Sequence, residues 1–198
     1  MAYNHHIVPG KFEIFCGPMY SGKTQALAMR LMPLEHMDCD FIFIRPASDK
    51  RKQRQFSYET IFVDDEMPEK ILEIVLDRHK LVAIDEIEFF QENIIEIVKE
   101  LLRQGKNVVA SGLDLNFRGE PFGPMAGLMA IADEVNKCRK AICKHNSCRE
   151  IANRTQKLID GKPAPYESQL KSVEGNSINE SYEPRCVGHH FVPRIKKV

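Results

Sequence analysis

The sequence predicts an α/β fold, a doubly wound parallel sheet with a phosphate-binding loop, followed by a small metal-stapled C-terminal domain. Three observations lead there. Short apolar runs alternate with helical patterns from residue 12 to about 137. The segment Gly17-Pro18-Met19-Tyr20-Ser21-Gly22-Lys23-Thr24 follows the first of those runs. Beyond residue 138, cysteines and histidines cluster among turn-forming residues. The expected division is 1–137 for the nucleotide-binding unit and 138–198 for the small one.

The elements follow in order. Runs at 12–16, 41–45, 81–85 and 107–111 are short, rich in β-branched or aromatic residues and nearly continuous, as strands covered on both faces should be. Helical patterns occupy 25–36, 68–78 and 91–104. In the last, Ile94, Ile95, Val98, Leu101 and Leu102 recur at helical spacing, and Gly105 supplies a stop. Residues 46–58, rich in Lys, Arg, Gln and Ser, have no periodicity and read as a loop. After Val135 apolar periodicity fades, and about 60 residues so composed need a staple to fold.

A chain of 198 residues can hold one good core and a small appendage. Lys plus Arg and Asp plus Glu both number 28, so the formal charge is zero. That opposes a main role in binding nucleic acid or anionic membrane, which needs a positive excess. No apolar run approaches the ~18–20 residues of a bilayer span. The N-terminus lacks the basic and apolar regions of a secretory signal, so a cytoplasmic protein is expected.

Residues 17–24 fit the P-loop spacing of Gly, four free residues, then Gly-Lys-Thr. The glycines let the backbone turn so that Met19, Tyr20 and Ser21 can present N–H groups to phosphate oxygens. Lys23 adds a charge for the outer phosphates, the Thr24 hydroxyl suits Mg²⁺, and a helix N-terminus faces the anion. Leu81-Val82-Ala83-Ile84 leads into Asp85 and Glu86. Asp85 is placed to hold Mg²⁺ beside the loop, and Glu86 to accept a proton or orient a water.

Six cysteines, at 16, 39, 138, 143, 148 and 186, read as metal chemistry rather than a disulfide framework. Cys143, Cys148, Cys186 and His189 form Cys-x4-Cys and Cys-x2-His pairs, which suit a tetrahedral structural zinc. His145, His190 and Cys138 are rival ligands, although Cys138, like Cys16 and Cys39, reads better as an ordinary buried thiol.

Together these segments resemble the type II, cytosolic-type thymidine kinases, from about residue 10 to 193. The carrying motifs are 17–24, Ile-Asp-Glu-Ile-Glu-Phe-Phe at 84–90, and Ser-Gly-Leu-Asp-Leu-Asn-Phe-Arg-Gly-Glu-Pro-Phe-Gly at 111–123. Two more are Arg-Thr-Gln-Lys-Leu-Ile-Asp-Gly-Lys-Pro-Ala at 154–164 and Glu-Ser-Tyr-Glu-Pro-Arg-Cys at 180–186.

The resemblance implies transfer of the γ-phosphoryl of ATP to the 5′-hydroxyl of thymidine, with Mg²⁺ catalytic and zinc structural. It implies Glu86 as general base and Arg51 as the arginine that steadies the transferring group. Phe89 would stack on the thymine, Met19, Leu113, Phe117, Phe122 and Thr155 would shape the pocket, and Tyr182 would close over it. On spacing alone, Phe117 and Phe122 read as core. The resemblance also implies a homotetramer.

Departures are visible. The first cysteine pair is longer than the family's usual Cys-x2-Cys, and the 55–58 and 174–179 segments differ. Glu88 replaces the usual Gln, and in an extended segment it would face the same way as Glu86 and disfavour its ionisation. Rival readings are a deoxynucleoside kinase of altered base choice and a zinc-bearing P-loop ATPase switch, which has no need of Phe89, Phe117 and Phe122.

Overall fold

The computed structural model describes residues 10–37, 39–49, 58–170 and 179–194. The first sheet contains β1 (Phe12–Cys16), β2 (Phe41–Pro46), β3 (Thr60–Val63), β4 (Leu81–Ile84), β5 (Asn107–Gly112) and β6 (Glu134–Lys137). Its spatial order is β3-β2-β4-β5-β1-β6, and every pairing is parallel. The helices are α1 (Lys23–Leu31), α2 (Lys70–Ile74), α3 (Ile94–Arg103) and α4 (Met125–Ile131).

Alternation within the buried strands sorts side chains to two cores. Phe12, Ile14, Ile42, Ile44, Val82, Ile84, Val108 and Ala110 face α2, α3 and α4. Phe43, Leu81, Ala83 and Val109 face Leu27 and Leu31 of α1. Helices therefore cover both faces, as the continuous apolar runs require. Helix α3 buries Ile94, Ile97, Val98 and Leu101 along one stripe, each worth roughly 1.5–3 kcal/mol.

Several element boundaries differ from expectation for local reasons. The expected 25–36 helix starts at Lys23 and ends at Leu31, where a tighter 3₁₀ turn (Met32–His36) takes over. Pro33 lacks the N–H an α-helix would use there. The expected 68–78 helix is only Lys70–Ile74, because Val75 is extended and the Leu76 N–H is taken by His79 Nδ1 at 3.0 Å. Asp85 lies just beyond β4 instead of ending it. Strands β3 and β6 and helix α4 carry no periodic signal of their own. Strand β6, Glu-Val-Asn-Lys, is a largely exposed edge and therefore polar.

Beyond β6 the chain forms a three-stranded antiparallel sheet, with β7 (Arg154–Ile159) between β8 (Lys162–Pro163) and β9 (Glu180–Arg185). An Ile142–Ile151 bridge closes the segment carrying Cys143 and Cys148, and the Lys144 N–H ties it to the Pro184 carbonyl of β9 at 2.9 Å. Among the described residues no helix is long and apolar enough to cross a membrane.

Candidate active site

In-register pairing aligns the C-terminal ends of β1, β4 and β5: Cys16 opposes Gly112, and Ile84 opposes Ala110. The turns leaving these three strands therefore share one sheet edge, where doubly wound folds bind ligands. The 17–24 loop leaves β1, Asp85 and Glu86 leave β4, and 113–123 leaves β5.

The loop is built for close backbone approach. Gly17 has φ +146°, and a Cβ there would lie 2.7 Å from the Cys138 carbonyl. Gly22 caps α1 in the left-handed region. Lys23 is buried, its Nζ donating to the Pro18 carbonyl at 2.9 Å across the turn. Ser21 is buried, Met19 half-buried and Tyr20 exposed, with φ 63° at Tyr20. Glu86 is likewise left-handed, at φ 56°. Strained non-glycine residues of this kind concentrate where a site over-determines the backbone.

Asp85 is fully buried and receives several contacts. Thr24 Oγ1 donates to its Oδ1 at 3.2 Å, and the Ser111 hydroxyl donates to the same oxygen. Arg45 Nε lies 3.7 Å from Oδ2, while the same guanidinium pairs with Asp49. Arg45 and Ser111 were missed in the sequence. Their signal is a polar residue at the end of an otherwise buried apolar strand.

Glu86 is buried, with 5% of its surface exposed. The segment after it is not extended as expected, for Ile87–Phe89 form a 3₁₀ turn. Burial first, then the Glu86 charge, push Glu88 well above the usual carboxylate range, against opposing pulls from Lys23 and nearby backbone N–H groups. Neither Glu88 oxygen has a well-formed hydrogen bond. Gly112 makes room for it, since a Cβ there would come within 2.6 Å of Oε2.

Phe89 meets Phe122 edge-on, with ring centroids 5.7 Å apart. Leu113, Phe117, Phe122 and Thr155 are buried, and Tyr182 is half-buried on β9. Thr155 Oγ1 accepts from the Met19 N–H at 3.0 Å, so the second sheet is bonded directly to the phosphate loop. His190 Nε2 donates to the Phe117 carbonyl at 2.8 Å, pinning the 113–123 turn from the same side. Arg51 lies outside the described residues.

In the lobe, the donor atoms of Cys143, Cys148, Cys186 and His189 all lie within 4.8 Å of one another. His189 Nδ1 is 3.2 Å from Cys186 Sγ and 3.7 Å from Cys143 Sγ. Tetrahedral ligands at zinc–sulfur lengths stand about 3.8 Å apart, so the donor set fits zinc. Burial alone would raise the Cys143 thiol, but hydrogen bonds from backbone groups and from Cys148 and Cys186 bring it down to about 7. The rivals do other work: His145 stacks on His189 at 4.2 Å, His190 holds Phe117, and Cys138 lies beside Gly17. Cys16 is an inert buried thiol, pushed up to about 11 chiefly by burial.

Comparison with known proteins places this arrangement. A family model described as thymidine kinase matches residues 10–190. A curated thymidine kinase of Coprothermobacter proteolyticus is 42% identical over 191 residues, covering 93% of this chain and 92% of its own length. The crystal structure of the flagellar accessory protein FlaH from Methanocaldococcus jannaschii superposes with a TM-score of 0.51 at 9% identity. That match covers 75% of this chain and 80% of FlaH, and it bears on the fold alone. Because the family match runs through the phosphate loop, the aromatic turn and the cysteine–histidine cluster alike, the chain belongs to the thymidine kinase family.

Proposed function

We propose that this protein transfers the γ-phosphoryl group of ATP to the 5′-hydroxyl of thymidine. One juxtaposition carries the reading: Glu86 separates Asp85, bonded to Thr24, from Phe89, which meets Phe122. A proton acceptor between a phosphate-binding centre and an aromatic cleft suits a nucleoside hydroxyl as the phosphoryl acceptor.

The 17–24 backbone and Lys23 bind the ATP phosphates. Thr24 and Asp85 would hold Mg²⁺, whose charge offsets that on the phosphoryl oxygens. Phe89 stacks on the base, Met19, Leu113, Phe117, Phe122 and Thr155 bound it, and Tyr182 covers it. Glu86 takes the proton from the 5′-hydroxyl as that oxygen bonds to the γ-phosphorus and the bond to the β–γ bridging oxygen breaks, releasing ADP. Arg51 is assigned to the transferring group from the resemblance. Cys143, Cys148, Cys186 and His189 would hold a structural zinc, which would keep the lobe folded around Thr155 and Tyr182. The homotetramer is likewise taken from the resemblance, and light scattering tests it.

The decisive assay combines the protein, γ-labelled ATP, Mg²⁺ and a panel of nucleosides. Thymidine should acquire the label at its 5′ position. Labelling of deoxycytidine instead would mean altered base choice, and label released only as phosphate would mean an ATPase switch.

A further inference from the structure

Lys157, in the middle of β7, exposes none of its surface. An ammonium buried this deeply loses its hydration and must be met by partners. Its Nζ donates to the Gln169 carbonyl at 3.0 Å and pairs with Glu180 Oε1 at 3.1 Å. It also faces two aromatic rings, lying 5.7 Å from the Phe117 centroid and 5.9 Å from that of Tyr182. Tyr182 is its cross-strand neighbour in register on β9.

One charge thus gathers the turn after β5, the segment after β8 and the first half of β9. Gln169 and Glu180 stand on either side of residues 171–178, so Lys157 holds the chain at both flanks. Stability of the sheet does not call for this. A well-packed apolar side chain at the same place would avoid desolvating an ammonium. What the charge adds is direction: it fixes Phe117 relative to Tyr182, and both relative to the two flanks.

We propose that Lys157 is a positioning residue for nucleoside binding, setting the separation of the Phe117 and Tyr182 rings without touching the nucleoside. The inference rests on the reading that these rings bound thymidine.

Two variants test it, Lys157→Met, which keeps length without charge, and Glu180→Gln, which removes one partner at a half-exposed site. KM and kcat are measured separately for thymidine and for ATP. Lys157→Met should raise the thymidine KM about tenfold while the ATP KM stays within about twofold. Glu180→Gln should shift the thymidine KM the same way by a smaller factor. Equal losses toward both substrates would mean a merely structural lysine and overturn the proposal. An unchanged thymidine KM in Glu180→Gln would overturn it too, and this holds even if Lys157→Met fails to fold. Wild-type protein that phosphorylates no thymidine would instead sink the underlying functional reading, so the two failures are distinguishable.

Discussion

Glu88 shows how one residue changes meaning with burial. A protonated carboxylic acid offers a donor and an acceptor, much as a glutamine amide does. The unfolded chain releases this proton near the ordinary carboxylate value of 4.5, whereas the folded chain keeps it well above that. Above that value the folded state therefore binds more protons, and the stability gained from protonated Glu88 falls as pH rises toward the folded value. Glu88→Gln should remove this dependence. Thermal melting should show little difference near pH 4 and a gain for the variant that grows toward pH 8. A gain of equal size at every pH would contradict the protonation argument. The proposed mechanism gives Glu86 the opposite role, because there its carboxylate would accept a proton. Glu86→Gln should retain binding of ATP and thymidine by calorimetry and lose turnover by about 10²–10⁴-fold. Turnover within a few-fold of wild type would remove it from the base role.

Among elements, β7 connects the two halves of the site. Its Thr155 accepts from the phosphate loop, its Lys157 faces the aromatic walls, and it pairs with β9 as far as Arg185, next to Cys186. The metal cluster is therefore tied to the proposed nucleoside pocket through the paired strands β7 and β9. Cys186→Ser should lower bound zinc well below one per chain by elemental analysis and weaken thymidine binding. ATP binding to the 17–24 loop should persist, since that loop is anchored on β1 and α1. Loss of both affinities together would mean that the zinc lobe and the parallel sheet fold as one unit.

At the scale of the whole molecule, the parallel sheet is covered by α1 on one face and by α2, α3 and α4 on the other. Leu101, on α3, is fully buried there, and Leu101→Ala should cost about 2–5 kcal/mol in chemical denaturation. It should do so without changing either KM at low temperature, because α3 lies behind the sheet and not at its C-terminal edge. A change in thymidine KM would show that packing on this face reaches the pocket.

The sequence by itself determined the elements whose signals are local. The 17–24 spacing, the apolar run ending before Asp85, the stripe on α3 and the two Cys/His pairs are set by residues a few positions apart. Turn chemistry, helical periodicity and ligand spacing operate over that range. Only the tertiary structure decided what depends on which strands are neighbours. The β4–β5 pairing brings Ser111 beside Asp85, and the β2–β4 pairing brings Arg45 there. The left-handed turn at Glu86 directs Glu88 inward beneath Gly112, where a local reading of the segment as extended placed it beside Glu86. Polar β6 and aperiodic α4 are held by long-range contacts, β6 by pairing with β1 and α4 by packing Met125 and Leu128 into the core. Burial of a charge such as Lys157 is decided last, since its partners at Gln169, Glu180, Phe117 and Tyr182 come from separate parts of the chain. Long-range contacts of this kind leave no periodic trace, because each partner is chosen by the assembled fold rather than by its sequence neighbours.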